Sequence, residues 1–177
     1  MSLASVVPST AAGKVVRLGS DPAGDGPPAL DVTFLDVTRT DDALEIRIGI
    51  DKMLPVTGGY PEGPAIQWVF TTGKRAFIAE AVAGTPAPRW FFFELFEDSY
   101  EQLQGLTGTY DSDDGFIRML VPLELIGAKK GTVISGFHDL EILGKDNGAD
   151  VDAHLHTTPG QTEYIDELKT SKSYRIP

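Results

Sequence analysis

Leu44-Glu45-Ile46-Arg47-Ile48-Gly49-Ile50 alternates apolar and non-apolar residues without a break. Leu44, Ile46, Ile48 and Ile50 fall on one side of an extended chain, and Glu45, Arg47 and Gly49 on the other. A period of two is that of a half-buried strand, whereas a helix repeats its apolar positions every three or four residues. On the N-terminal side, Val32 to Thr38 is β-branched and aromatic, and Thr40-Asp41-Asp42-Ala43 supplies the turn between two strands. Further back, Lys14 to Ser20 reads as a first short strand, followed by a Gly/Pro-punctuated loop from Asp21 to Asp31.

The C-terminal side repeats the pattern. After a Pro- and Gly-rich loop over 51–64, Ile66, Trp68 and Phe70 alternate with Gln67, Val69 and Thr71. Thr72-Gly73 turns the chain, and Arg75 to Val82 returns as the second arm of a hairpin. Arg89 to Phe96 is the most hydrophobic run and suits a central strand. Leu103 to Tyr110 and Phe116 to Val121 flank an Asp-Gly turn at 111–115, a strong hairpin signal. Pro122 and Gly127 bracket a short helix, with Pro at its first position and Gly as its cap. Thr132 to Leu143 reads as a further strand, 144–162 as loop, and Ser173 to Ile176 as a last edge strand.

These segments predict an all-β fold of roughly nine or ten strands, joined by turns rather than crossover helices. The architecture they imply is an antiparallel two-sheet β-sandwich, jelly-roll or immunoglobulin-like. Residues 1–13, small and polar-leaning, read as an extended arm, and 14–177 as a single sandwich domain.

Composition narrows the function. Fifteen basic residues stand against 26 acidic ones, a net charge of −11, which removes the basic footprint a nucleic-acid binder needs. With no cysteine, disulfides, zinc-thiolate sites and cysteine nucleophiles are excluded. No stretch is apolar for long enough to span a bilayer as a helix. Met1-Ser2-Leu3-Ala4-Ser5 has no signal-peptide pattern, so an extracellular or cell-surface location implies a leader beyond these residues, with the cytosol as the alternative. There is no GxSxG, no HExxH and no Gly-rich phosphate loop, so the chain is expected not to be an enzyme. Glu94, set in the aromatic run, is the carboxylate whose surroundings point to a raised pKa.

Four groups of residues are candidates for binding. Asp21, Asp25 and Asp31, with loop carbonyls between them, could surround a calcium ion; equally, Asp residues cap turns. Asp146, Asp150 and Asp152 form a second acidic loop, too short for an EF-hand and without its closing Glu. His154 and His156, two apart on an extended segment, point the same way and could share a transition metal with His138, Asp150 or Asp152. Among the aromatics, Tyr60, Trp90 and Tyr100 are candidates to stack on a sugar ring, although the alternation around Trp68 and Trp90 argues for burial of both.

The residues also carry a family likeness. Asp21-Pro-Ala-Gly-Asp25 and Ala29-Leu-Asp-Val32, then Gly108-Thr-Tyr-Asp111, Gly115 to Pro122, Leu125-Ile-Gly127 and Gly131, resemble CBM9-like/DOMON-like β-sandwich domains. The closing Tyr174-Arg-Ile-Pro177 is similar to the last strand of such domains. The resemblance implies a non-catalytic, secreted accessory module of the kind appended to bacterial and archaeal proteases and glycosidases. It also implies a partner that is a glycan or a host polypeptide, Ca2+ as the one expected cofactor, and no organic cofactor. Two other classes compete with it. One is an assembly subunit that self-associates through its N-terminal arm and sheet edges. The other is a metal or small-molecule carrier built on His154 and His156.

Overall fold

The computed structural model describes residues 13–53, 63–83, 87–111, 115–136, 151–157, 161–170 and 172–177. Among them there is no helix, and thirteen strands follow one another. They are β1 (Val16–Ser20), β2 (Val32–Arg39), β3 (Ala43–Ile50), β4 (Gly63–Thr72), β5 (Arg75–Val82), β6 (Arg89–Phe96) and β7 (Ser99–Leu103). After these come β8 (Thr107–Asp111), β9 (Phe116–Pro122), β10 (Val133–Gly136), β11 (Val151–Thr157), β12 (Gln161–Leu168) and β13 (Tyr174–Arg175).

The strands form two antiparallel sheets that pack as a β-sandwich. The first is five-stranded, in the order β1-β2-β3-β9-β8. The second runs β12-β11-β4-β5-β6-β7, with β10 beside the far end of β4 and β13 beside β10. Both β10 and β11 pair with the same side of β4, since Gly136 lies opposite Phe70 and Val151 opposite Trp68. β10 and β11 therefore lie almost in line along that side of β4.

The alternation read from 44–50 is realised in the side each residue faces, although Glu45 and Gly49 on the outer side are buried as well. Leu44, Ile46 and Ile48 are fully buried, facing the second sheet, together with Leu35 and Val37 of β2 and Ile117, Met119 and Val121 of β9. The second sheet answers with a stack of rings: Trp68 on Phe70 at 4.5 Å, Phe70 on Phe77 at 5.5 Å and Phe77 on Phe92 at 5.5 Å. Burying each such side chain contributes about 1.5–3 kcal/mol before entropy is counted.

Three expectations change. Residues 123–127 do not form a helix; the backbone makes successive turns, with Leu125 N–H donating to Pro122 O and Gly127 N–H to Glu124 O, and Gly127 ends them at φ 62°. Ten residues separate β9 from β10, and the five turn residues among them are too few to repay helix nucleation. The stretch 144–162, read as loop, contains β11 and the start of β12. The strand expected over 103–110 is divided: β7 ends at Leu103 in the second sheet and β8 begins at Thr107 in the first, with Gly105 at φ 114° turning the corner.

Candidate metal centre

Two sheets stacked face to face leave an open seam along each side. On one side the edge strand β12 meets β1 and β2, and the loop between β1 and β2 folds over that seam. Asp21 N–H donates to Thr33 O, Leu30 N–H to Pro27 O and Asp51 N–H to Asp31 O, which fixes both ends of the loop. Gly24, at φ 109°, bends the loop so that its own N–H reaches Asp31 Oδ2 at 2.6 Å. Gly26 lies against Asp166, where an added Cβ would sit 3.5 Å from the Asp166 Cβ.

This packing gathers acids that are far apart in the chain. Asp21, Asp25 and Asp166 can each place a carboxylate oxygen within 4.8 Å of the other two. Two oxygens bound at ~2.4 Å to one calcium ion are at most ~4.8 Å apart, so the spacing suits a shared ion. Asp31 is fully buried next to them, and its Oδ1 has no hydrogen-bond partner. A buried carboxylate oxygen without a partner is costly, and a cation is one way to satisfy it.

The electrostatics agree. Burial raises the Asp21 carboxyl above its ordinary value, and the charges of Asp25, Asp166 and Asp31 raise it further. Asp166 is also raised, first by burial and then by Asp25 and Asp31, although it accepts N–H bonds from Val32 and Glu167. A site that repels its own negative charge is primed for a cation. The donors are all oxygens, with no thiolate or imidazole, which selects a hard ion such as Ca2+ over zinc or copper.

Of the three acids read from the sequence, Asp21 and Asp25 converge, Asp31 lies buried beside them outside the three-sided cluster, and Asp166 joins unannounced. Its signal was faint. Pro159-Gly160 between Val151–Thr157 and Gln161–Leu168 is hairpin punctuation, but a register shift after Ala153 interrupts the alternation around Ile165.

The other candidates fall elsewhere. Tyr60, His138, Asp146 and Asp150 lie outside the described residues, as do the side chains of Asp152, His154 and His156. The backbone register sets Asp152, His154 and His156 opposite Gln67, Ala65 and Gly63. Trp90 is partly buried against the core, with its ring over Gly108. Tyr100 is 65% exposed on the outer face of the second sheet and stands edge-on to Phe93 at 5.5 Å. Beside it runs a groove of about 400 Å³ bounded by Thr71, Ala76, Leu95 and Phe96, with Phe96 itself 44% exposed. Glu94 differs from expectation: the Arg75 guanidinium, at 2.6 and 2.8 Å, holds its carboxyl below the ordinary glutamate value against the opposing effect of burial.

No helix among the described residues is long and apolar enough to cross a membrane. Comparison of the chain with protein-family models, curated proteins and solved structures gives no match.

Proposed function

We propose that this protein is a non-catalytic, extracellular β-sandwich module of the CBM9-like/DOMON-like kind, stabilised by calcium. Asp21, Asp25, Asp31 and Asp166 hold the ion at the seam between the sheets, and the module binds a glycan or acts as an accessory or adhesive domain. The observation that carries the metal is the unpartnered Oδ1 of buried Asp31 beside three converging carboxylates. The ion would act structurally, tying the loop at 21–31 to β12. A glycan finds its best support on the outer face of the second sheet. There Tyr100 offers exposed ring surface close to a groove, and sugar rings pack on such faces.

The test is a thermal melt of the EDTA-treated protein with and without added calcium, zinc and copper. An ion at one hundred times its dissociation constant adds ~2.7 kcal/mol, a rise of roughly 5–10 °C for a chain of this size. The expected result is a calcium-specific rise that Asp25→Ala abolishes. A rise with zinc or copper alone would move the site to the His154/His156 pair, and no rise with any ion would remove the metal from the reading.

A further inference from the structure

The outer face of the five-stranded sheet is unlike the rest of this acidic chain. Its residues follow from the register: Asp36 lies opposite both Arg17 and Arg47, and Arg47 opposite Arg118. In the next row Glu45 pairs with Thr38 and Leu120, and beyond Arg47 and Arg118 come Gly49 and Phe116. Arg17 is taken up by Asp36 and covers the ring of Phe34 at 4.0 Å. What remains is one carboxylate serving two guanidiniums. Arg47 Nε donates to Glu45 Oε1 and Arg118 Nη2 to Glu45 Oε2, each at 2.6 Å.

Glu45 is 1% exposed although it points away from the core, so the two arginines lie over it as a lid. Burial alone would raise its carboxyl, but the bonds to Arg118 and Arg47 prevail and hold it below the ordinary value. It is therefore ionised, and the triad carries one positive charge in excess. The side chains of Arg47 and Arg118 keep 32% and 22% of their surface in solvent. Each guanidinium carries five N–H groups in a planar fork that matches a carboxylate. Arg47 also sits 5.4 Å from the Phe116 ring centre, and the exposed Thr109 lies opposite Arg118 on β8.

We infer that the Arg47–Arg118 pair is a docking point for a carboxylate-bearing sugar, a uronate. Its acid group would meet the two guanidiniums while its ring lies along Phe116 and its hydroxyls reach Thr109. Two cations sharing one buried anion supply the charge complementarity. The aromatic and hydroxyl neighbours distinguish a sugar acid from a simple ion. This face lies on the opposite sheet from Tyr100, so the inference is separate from the groove there.

The test titrates the full chain with trigalacturonate, with its methyl ester, and with a short poly-glutamate peptide. The expected result is binding of trigalacturonate that weakens roughly ten- to hundredfold on methyl esterification, because a charge-assisted hydrogen bond is lost. Arg118→Gln should weaken the acid by a similar factor. Arg118→Lys, which keeps the ion pair with Glu45 and so guards against misfolding, should also weaken it because the fork is gone. Equal binding of acid and ester, or acid binding that both variants leave unchanged, would overturn the inference while leaving a glycan at Tyr100 possible. Absence of trigalacturonate binding would overturn it outright. Binding of poly-glutamate but not of trigalacturonate would assign the face to an acidic protein instead.

Discussion

Asp166 on β12 accepts the backbone N–H of Val32 at the start of β2, at 2.6 Å, so one carboxylate joins the edge strand of the second sheet to the strand beside the edge of the first. β12 ends the second sheet, and among the described residues the two sheets share no backbone ladder there. The same carboxylate is the one that turns the loop acids Asp21 and Asp25 into a three-sided cluster. The same side chain therefore contributes both to the closure of the seam and to the proposed ion site.

Asp166→Asn and Asp166→Ala separate these two roles. The amide keeps an oxygen acceptor for Val32 and removes a repelling charge, so the metal-free protein should lose less than about 1 kcal/mol. The alanine loses the acceptor as well and should cost ~1–3 kcal/mol. Both should abolish the calcium-induced rise in Tm. Melts of the three proteins in EDTA and in calcium decide the matter, and an undiminished calcium rise in Asp166→Asn would exclude Asp166 as a ligand.

The calcium response should itself depend on pH. Asp21 and Asp166 both have raised carboxyl pKa values, so protons compete for the site above the ordinary Asp value of 3.8. In the metal-free protein a raised pKa favours folding at low pH, and that contribution fades as pH rises through the folded value. With calcium the ion replaces the protons. The difference in Tm between calcium and EDTA should accordingly grow from pH 4 to pH 7, and a flat difference over that range would contradict carboxylate ligation.

Gly108→Ala should be among the most damaging single-methyl changes in the chain. An added Cβ would lie 2.3 Å from the carbonyl oxygen of Arg118 and 2.7 Å from the Trp90 ring. The first contact is backbone of the paired strand β9 and cannot move without breaking register. Overpacking of this kind costs about 1–3 kcal/mol, and more where backbone must shift. Denaturant unfolding of Gly108→Ala against Gly73→Ala, whose added Cβ meets nothing within 4 Å, separates crowding from turn strain.

The strands were legible where one face is buried and the other is not. Leu44–Ile50 and Phe116–Val121 alternate because each lies in a sheet with a core side and an outer side. β6 was legible only as apolar, since Phe91, Phe93 and Leu95 cover the outer face while Phe92 faces the core. The short turn at 123–127 was misread because Pro122 and Gly127 suit a turn pair as well as a helix. Three of the four carboxylates of the candidate centre, Asp21, Asp25 and Asp31, lie within a single loop and could be read from spacing. Asp166 could not, because its place depends on which strand closes the seam, a long-range fact that spacing does not encode. The Glu45 clamp was hidden for the same reason: Arg118 lies opposite Arg47, diagonal to Glu45, only through the register of β3 with β9.

Trp68→Phe should be milder than the size of the side chain suggests. Trp68 is fully buried, and its indole N–H has no hydrogen-bond partner. Phenylalanine leaves a small void but removes a buried unpaired donor, and the two effects oppose each other. A net change within about 1.5 kcal/mol is expected, against ~3–5 kcal/mol for Trp68→Ala. Chemical denaturation with both variants measures the contrast.

Glu80 gives the strongest pH signature on the basic side. It sits mid-strand in β5, on the outer face of the second sheet, opposite Gln67 on β4 and Phe91 on β6. Loss of hydration there lifts its carboxyl from 4.5 to about 7. Because the folded value is raised, the stabilising contribution is complete below pH 4.5 and fades as pH rises through about 7. Glu80→Gln keeps the shape and removes the titration. The variant should match the parent near pH 4.5 and exceed it at pH 8, by up to ~3 kcal/mol under linkage. Stability of both proteins in EDTA across pH 4.5 to 8, with the calcium centre thereby silenced, isolates the effect. Parallel curves for parent and variant would show that Glu80 is ionised throughout and that its charge is satisfied within the fold.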